Sequence, residues 1–190
     1  MLTFLGYTLV FLALLVSLYL VIRPEASSQS FLRTAAVGTQ SSPFLLLSLS
    51  FIFEATSLDL VSRYVGEGLP LFYRISAVWG SRSGPLLMWA SMMSVIAWLM
   101  SRDRTTDAAT IRVMHFWTLL LLLISAGLRP FSPAIPGSAG EISPLLQTDL
   151  MVIHPPVVFV YYSLCLATAS IAVSGLIRSR PSNETHASMI

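Results

Sequence analysis

The sequence predicts an all-α polytopic membrane protein with about five transmembrane helices. Apolar residues make up 55% of the 190-residue chain and charged residues 11%, against about 45–50% and about 25% in soluble domains. Several long runs also contain no charge, and each approaches the roughly 20 residues needed to cross the hydrocarbon core. We therefore expect one membrane domain over residues 1–178, followed by a disordered polar tail over 179–190.

Each helix is predicted from one uncharged run. These runs precede Arg23 and Glu54, lie between Arg82 and Arg102 and between Arg112 and Arg129, and separate Asp149 from Arg178. The predicted spans lie near 2–22, 40–58, 84–101, 112–129 and 152–177. The first has no basic residues ahead of its apolar stretch, which argues against a cleaved signal peptide. The second has the weakest start, because "TQSSP" interrupts its apolar residues.

The arginines predict the orientation of the helices. With five spans the loops alternate in side, and one set of loops and tail carries seven arginines while the other carries four. The richer set is expected on the cytoplasmic side. The amino terminus is then outside, the carboxyl terminus inside, and His154 at the outer membrane surface.

The two outer loops are predicted to carry the function, because loops of this length in a compact protein are usually functional. The first begins with "LDLVSRYV", residues 58–65, whose alternating polarity predicts a short extended segment. The second has prolines at positions 130, 133, 136 and 144, so it cannot form a long helix.

Other features exclude some classes of site. A net charge of +2 gives no argument for a nucleic-acid partner. The single cysteine, Cys165, rules out an intrachain disulfide and a CxxC site. Because it lies in an apolar run, we expect a packed, inert thiol.

The three histidines have different settings. His186 lies in the polar tail, and His115 begins the fourth span beside two aromatic residues, where it is expected to anchor the helix at the inner interface. His154 precedes Pro155 and Pro156, which fit the first turn of a helix. A neutral imidazole projecting there is a good axial ligand for haem iron. Spacing alone leaves helix capping or a simple hydrogen bond open.

Two longer stretches carry a resemblance to a known family. They are "LPLFYRISAVWGSRSGPLLMWASMM" at 69–93 and "FSPAIPGSAGEISPLLQTDLMVIHPPVVFVYY" at 131–162. Both resemble the CcmF family, the haem lyase subunits of bacterial and mitochondrial cytochrome c maturation, and "LDLVSRYV" is similar to the family's extended segment. The first motif matches at Tyr73, Arg74, Trp79, Gly80, Gly84, Leu86, Leu87 and Trp89. The second matches at Pro144, Leu145, Leu146, Gln147, His154, Pro155, Pro156 and Tyr161.

The resemblance implies a role for each site residue. His154 would be an outward-facing axial ligand to haem delivered by the haem chaperone CcmE, for attachment to the CxxCH thiols of apocytochrome c. Trp79 and Trp89 would line or support the haem cavity, or else belong to an aromatic belt at the membrane interface. Arg74 would meet a haem propionate, or else only anchor the outer loop.

The chain also departs from the family pattern. Ser143 replaces a usual asparagine and Pro85 a common serine, and the tryptophan-rich haem platform does not occur. We therefore expect a non-autonomous subunit of a split haem lyase, without lyase activity alone, in preference to a truncated paralogue with another role. Its partners would be a second chain carrying the platform, CcmE, CcmH/CcmI-type proteins, apocytochrome c and lipid. The membrane would be a bacterial or archaeal cytoplasmic membrane or the mitochondrial inner membrane.

Two alternatives from other classes stay open. One is a structural helical subunit of a larger membrane complex, in which His154 and the tryptophans only pack and anchor. The other is a small transporter or channel component, which the scarcity of ionisable residues in the spans argues against. A neighbouring gene encoding the tryptophan-rich motif would favour the split lyase.

The orientation can be tested with a reporter fused after Arg178. The arginine bias predicts that the reporter is on the cytoplasmic or matrix side, with a matched fusion after Arg129 on the opposite side. Enzymatic activity of the two fusions, measured in intact cells, checks the assignment. An external signal from the Arg178 fusion would reverse it.

Overall fold

The computed structural model describes residues 1–66, 68–103, 105–137, 139–140, 142–144 and 147–179. Within these residues the chain forms seven α-helices, a 3-10 turn at Pro24–Ser28 and no strand, which confirms the predicted all-α class. The helices are α1 (Leu2–Ile22), α2 (Ser30–Ile52), α3 (Asp59–Tyr64), α4 (Leu71–Gly80), α5 (Ser83–Met100), α6 (Ala108–Gly127) and α7 (Asp149–Ser179). Beyond residue 179 the expected tail lies outside the described residues.

Five of these helices, α1, α2, α5, α6 and α7, are long and apolar enough to span a membrane. The chain is therefore an integral membrane protein. Four predicted spans coincide with these helices to within a few residues at each end. The second prediction, 40–58, is wrong at both ends, since α2 covers Ser30–Ile52.

Helix α2 continues through "TQSSP" because the chain compensates locally for its proline. Pro43 lies inside the helix and has no N–H to donate to the carbonyl of Thr39. The hydroxyl of Ser42 donates to that carbonyl at 2.8 Å. In lipid a freed carbonyl needs such a substitute donor. The helix ends instead before Glu54, whose φ of 51° is left-handed.

Helices α1, α2, α5 and α6 form a ring in which each packs against two neighbours. Their shared core holds fully buried apolar side chains, among them Leu47, Phe51, Met93, Met114 and Leu122. Helix α7 packs on the outside of this ring, against α5 and α6. Only 22% of its span is buried, against 44% for α5 and α6, so one side of α7 has no described neighbour.

The helix bundle has two ends. We call the end where α7 begins, with α3 and α4, the His154 face. The opposite end, formed by the 3-10 turn, residues 101–103 and residues 105–107, is the Arg33 face. There the Arg33 side chain donates to the carbonyl of Ser101 at 2.9 Å, and Thr110 bonds Ser174 at 2.7 Å. These contacts fix α2 to α5 and α6 to α7.

The segment "LDLVSRYV" forms a helix, so the predicted extended conformation is wrong. Residues 59–64 are α3. Leu58, Val61 and Val65 are the buried residues of the segment 58–65, and their spacing of three and four positions is that of a helix face. Asp59 also pairs with Arg63 one turn later, at 2.9 Å. Helical periodicity therefore describes this segment better than the polarity alternation does.

The second loop on the His154 face lies along the first. As predicted, its described residues form no long helix. Its backbone instead contacts the first loop, through an antiparallel bridge between Leu58 and Pro133 and hydrogen bonds from Gly140 to Ser62 and from Ile142 to Tyr64, at 2.9 and 3.2 Å. The two loops thus form one layer at the His154 face.

The tight turn between α4 and α5 gives a test of this packing. A Cβ on Gly84 would overlap the backbone carbonyl of Val78, whereas a Cβ on Gly38 in α2 meets nothing within 4 Å. Gly84→Ala is expected to lower the free energy of unfolding by about 1–3 kcal/mol. Gly38→Ala should change it by less than about 1 kcal/mol. Thermal unfolding in detergent measures both, and equal stability of the two variants would contradict the described turn.

Candidate functional site on the His154 face

The prolines of the His-Pro-Pro motif lie deeper in α7 than predicted. The helix begins at Asp149 rather than at 152, so Pro155 and Pro156 are its seventh and eighth residues and not part of its first turn. Thr148 precedes the helix, and its hydroxyl accepts the N–H of Met151 at 3.3 Å. This is the arrangement of an N-cap residue, and the Thr-Asp pair is the sequence signal for this earlier start.

A proline in the second turn frees a backbone carbonyl that then needs another donor. Pro155 cannot donate to the carbonyl of Met151, four residues earlier. The indole Nε1 of Trp79, at the end of α4, donates to that carbonyl at 2.7 Å. The first motif therefore supplies the hydrogen-bond donor that the second motif lacks. This bond ties α4 to α7 one turn from His154.

Trp89 holds the next turns of α7 against α5. Its ring lies 5.7 Å from that of Phe159 and 5.8 Å from that of Tyr162, measured between centroids. Phe159 and Tyr162 also meet edge to face at 6.2 Å. Such pairs contribute about 0.5–1.5 kcal/mol each beyond their buried area. Both tryptophans thus contact the side of α7 that faces the bundle.

His154 lies on the other side of α7. Its ring is exposed, and no described residue hydrogen-bonds it. Leu150, Val157 and Tyr161 share this stripe and are 71, 61 and 62% exposed. Cys165 continues it and is also exposed, so the predicted packing of its thiol is wrong. We call these five residues the His154 stripe.

An apolar groove of about 600 Å³ lies on the opposite side of this end of α7. Trp79 and Pro156 line it, together with Met88, Met92 and Val160. Pro156 follows His154 by two positions, which places the two residues about 200° apart around the helix. The structure therefore brings Trp79 and Pro156 together, but not into one cavity with His154.

Arg74 is engaged in ionic and backbone contacts. Its Nη1 forms an ion pair with Glu54 at 2.6 Å and lies 3.3 Å from the carbonyl of Ile52. Its Nε donates to the carbonyl of Leu69 at 2.7 Å. These contacts join the end of α2 to the start of α4. The expected contact of Arg74 with a haem propionate stays a prediction.

The other motif residues position the loops. Gly80 leaves room beside Tyr64 and Ile142, at 3.7 and 3.6 Å from its Cβ position. Gln147 donates through its side chain to the carbonyl of Ile142 at 3.2 Å, and its N–H bonds Pro144 at 3.1 Å. Leu145 and Leu146 lie outside the described residues.

Comparison with known proteins identifies the family. Residues 79–189, more than half of the chain, match the sequence model described as Cytochrome C assembly protein. The chain belongs to this family. The match begins at Trp79 and includes the His-Pro-Pro motif.

Individual relatives of the cytochrome c assembly family agree with this assignment. The chain is 29% identical to the cytochrome c-type biogenesis protein CcmF of Pseudomonas fluorescens, over 72% of the chain and 22% of that protein. It is 28% identical to CcmF of Escherichia coli, over 72% and 23%. For the biogenesis protein NrfE of Haemophilus influenzae the values are 26%, 76% and 24%. The chain thus spans about a quarter of the length of these relatives. No solved structure matches it.

The bond between the two family motifs can be tested with a double-mutant cycle. Trp79→Phe removes the donor to Met151 and should cost about 1–3 kcal/mol of unfolding free energy. In a Pro155→Ala background the restored N–H of residue 155 can donate to Met151 instead. There the same change should cost about 1 kcal/mol less. Unfolding titrations in detergent measure the four stabilities.

Pro156→Ala is the matched control for this cycle. It restores an N–H that bonds Val152 and not Met151, so its coupling with Trp79→Phe should be limited to the packing of two residues that line one groove and should be smaller than that of Pro155→Ala. Equal coupling of both prolines to Trp79 would contradict the assigned hydrogen bond.

Proposed function

We propose that this chain is a membrane subunit of a cytochrome c haem lyase, and that His154 is the outward-facing axial ligand that holds haem during its attachment to apocytochrome c. The observation that carries the proposal is the exposed imidazole on the His154 stripe of a chain in the cytochrome c assembly family. A rigid support behind it, made by Trp79 and Trp89, fits a ligand that must keep one orientation.

Haem is the cargo of this site. A neutral imidazole with no described partner can offer a ring nitrogen to the iron. Attachment adds each CxxCH thiol across one haem vinyl group: the S–H bond and the vinyl π bond break, and a C–S and a C–H bond form. This addition needs no oxidant. The contribution of His154 is to hold the iron and fix the presented ring face, which lowers a barrier by positioning.

The haem cavity is completed by a second chain in this proposal. Trp79, Trp89 and Arg74 support the site from behind or from the loop, and the His154 stripe has no described neighbour on its outer side. A chain carrying the tryptophan-rich platform would cover the stripe and enclose the porphyrin. CcmE, CcmH/CcmI-type proteins and apocytochrome c would meet this assembly at the His154 face.

The His154 face is proposed to be on the outer side of the membrane. That side would be the periplasm or exterior for a bacterial or archaeal cytoplasmic membrane, and the intermembrane space for the mitochondrial inner membrane. The excess of arginines in the loops of the opposite face supports this orientation.

A structural subunit is the second candidate function. The observation that favours it is the engagement of Arg74 with Glu54 and of Trp79 with Met151. These contacts would serve a scaffold equally well. The two candidates differ in whether the imidazole of His154 is needed once the complex has assembled.

Replacing the histidine tests the proposal. His154→Ala should lower the yield of covalent cytochrome c in the host at least about ten-fold, since losing even an outer partner of a metal ligand costs that much. Haem staining of membranes measures the yield, and an absorption spectrum of the purified complex measures bound haem. His186→Ala, the same change in the polar tail, should leave both unchanged.

Assembly must be measured in the same samples. Co-purification of neighbouring gene products with His154→Ala should match the unmodified chain, because the exposed ring makes no described contact. Normal cytochrome c yield and an unchanged haem spectrum in this variant would reject the ligand role and leave the structural one.

A further inference from the structure

A buried polar cluster joins the four helices of the central ring. Ser17 of α1, Gln40 of α2, Ser94 of α5 and His115 of α6 are each at most 4% exposed. Ser94 donates to the Gln40 side-chain carbonyl at 2.6 Å. The Gln40 amide donates to Ser17 at 2.9 Å and lies 3.2 Å from Nδ1 of His115. The prediction that His115 anchors the helix at the interface is therefore wrong.

The cluster lies within the span of the membrane helices. His115 is the eighth residue of α6 and Ser94 precedes the end of α5 by six residues, which is about 10 Å from the Arg33 face at 1.5 Å per residue. An ionisable side chain at such depth is costly and usually functional. The simpler explanation is that these polar groups only join the helices. A functional role would require water or a ligand to reach the cluster, so the space beside it distinguishes the two explanations.

A small cavity opens next to the cluster on the side of the Arg33 face. Its volume is about 10 Å³, and Gln40, Ser94 and His115 line it together with Ser27 and Arg33. One water molecule requires about 10–15 Å³. The hydroxyl of Ser27 and Nε of Arg33 are buried and have no hydrogen-bond partner among the described residues. Both belong to residues that line this cavity.

The cavity adjoins a larger open depression on the Arg33 face. This vestibule has a volume of about 570 Å³ and shares Ser27 and Arg33 with the small cavity. Its described charged residues are Glu25, Arg33, Arg102 and Asp103. Because two cationic and two anionic side chains line it, the vestibule favours neither cations nor anions. The narrow inner part admits nothing larger than water.

We propose that the vestibule and the small cavity form a hydrated inlet through which water, and with it protons, reach His115 from the Arg33 face. Ser27 and Arg33 bind water at its neck, and Gln40 and Ser94 orient the imidazole at its end. Because Gln40 donates to Nδ1, the neutral ring carries its hydrogen on Nε2. This site is separate from the His154 stripe and independent of the haem proposal.

Thiol accessibility tests the inlet in the full chain. Cys165→Ala removes the single native cysteine, and Ser94→Cys then places one thiol at the inner end of the inlet. The matched control is Ser174→Cys, because both serines are 1% exposed and bond a side chain of another helix. Ser174 lines neither the cavity nor the vestibule.

The probe is the silver ion, which is small and reacts with thiols in contact with water. It is added to sealed vesicles from either side, and unreacted thiol is then alkylated in denaturant and counted by mass spectrometry. Ser94→Cys should react at least about ten-fold faster than Ser174→Cys, and only from the Arg33 face. Equal rates for the two thiols, or equal rates from both sides, would overturn the inlet.

Two further measurements protect the test against a misfolded variant. Ala36 also lines the small cavity, so the thiol of Ala36→Cys should react as that of Ser94→Cys does. Ala167→Cys is its control, since the two alanines are 5 and 6% exposed. In the unmodified chain, deuterium exchange at the C2 carbon of His115 should be measurable, although slower than that of exposed His154, because this exchange requires contact with water. An exchange rate that stays negligible while His154 exchanges would also overturn the proposal.

Discussion

The structure depends on one constraint of the bilayer: a backbone carbonyl that a proline leaves without its helical donor must find another. The chain meets it in two ways, at Pro43 and at Pro155. In α2 the hydroxyl of Ser42, one residue before Pro43, bonds the freed carbonyl of Thr39. In α7 the donor comes from Trp79, 72 residues before Met151 in the sequence. The first solution keeps a helix continuous, and the second joins two helices and thereby fixes the end that carries His154.

This constraint separates the two sides of α7. The side facing the bundle is occupied by Trp79, Trp89 and the apolar groove, which together set the position and rotation of the helix. The outer side keeps an exposed imidazole among exposed apolar residues. A side chain on a helix that is packed on one side and exposed on the other suits the binding of a ligand or a partner chain. The polar cluster around His115 lies in the other half of the bundle, towards the Arg33 face.

Composition and uncharged runs were sufficient to predict the all-α class and four of the five spans, because the bilayer requires long apolar segments. The prediction starts α2 at residue 40 because "TQSSP" looks like a weak helix start, although the serine before Pro43 repairs the ladder. The extended prediction for 58–65 is wrong because the alternating polarity of this segment coincides with a helical spacing of its buried residues Leu58, Val61 and Val65. His154 and the tryptophans could be selected by motif. The bond from Trp79 to Met151 could not, since it depends on the helix start at Asp149 and on tertiary packing.

The length of α7 has a consequence for where a cargo would be met. With Ser174 bonded to Thr110, α7 runs level with α6 until about Val157, and His154 lies about 5 Å beyond that level at 1.5 Å per residue. With the hydrocarbon boundary set at the end of α6, the imidazole would stand at the level of the lipid headgroups. A porphyrin bound there would keep its two carboxylates hydrated while its apolar edge rested on the lipid boundary. Loading and unloading would then require no passage of charge through the membrane interior.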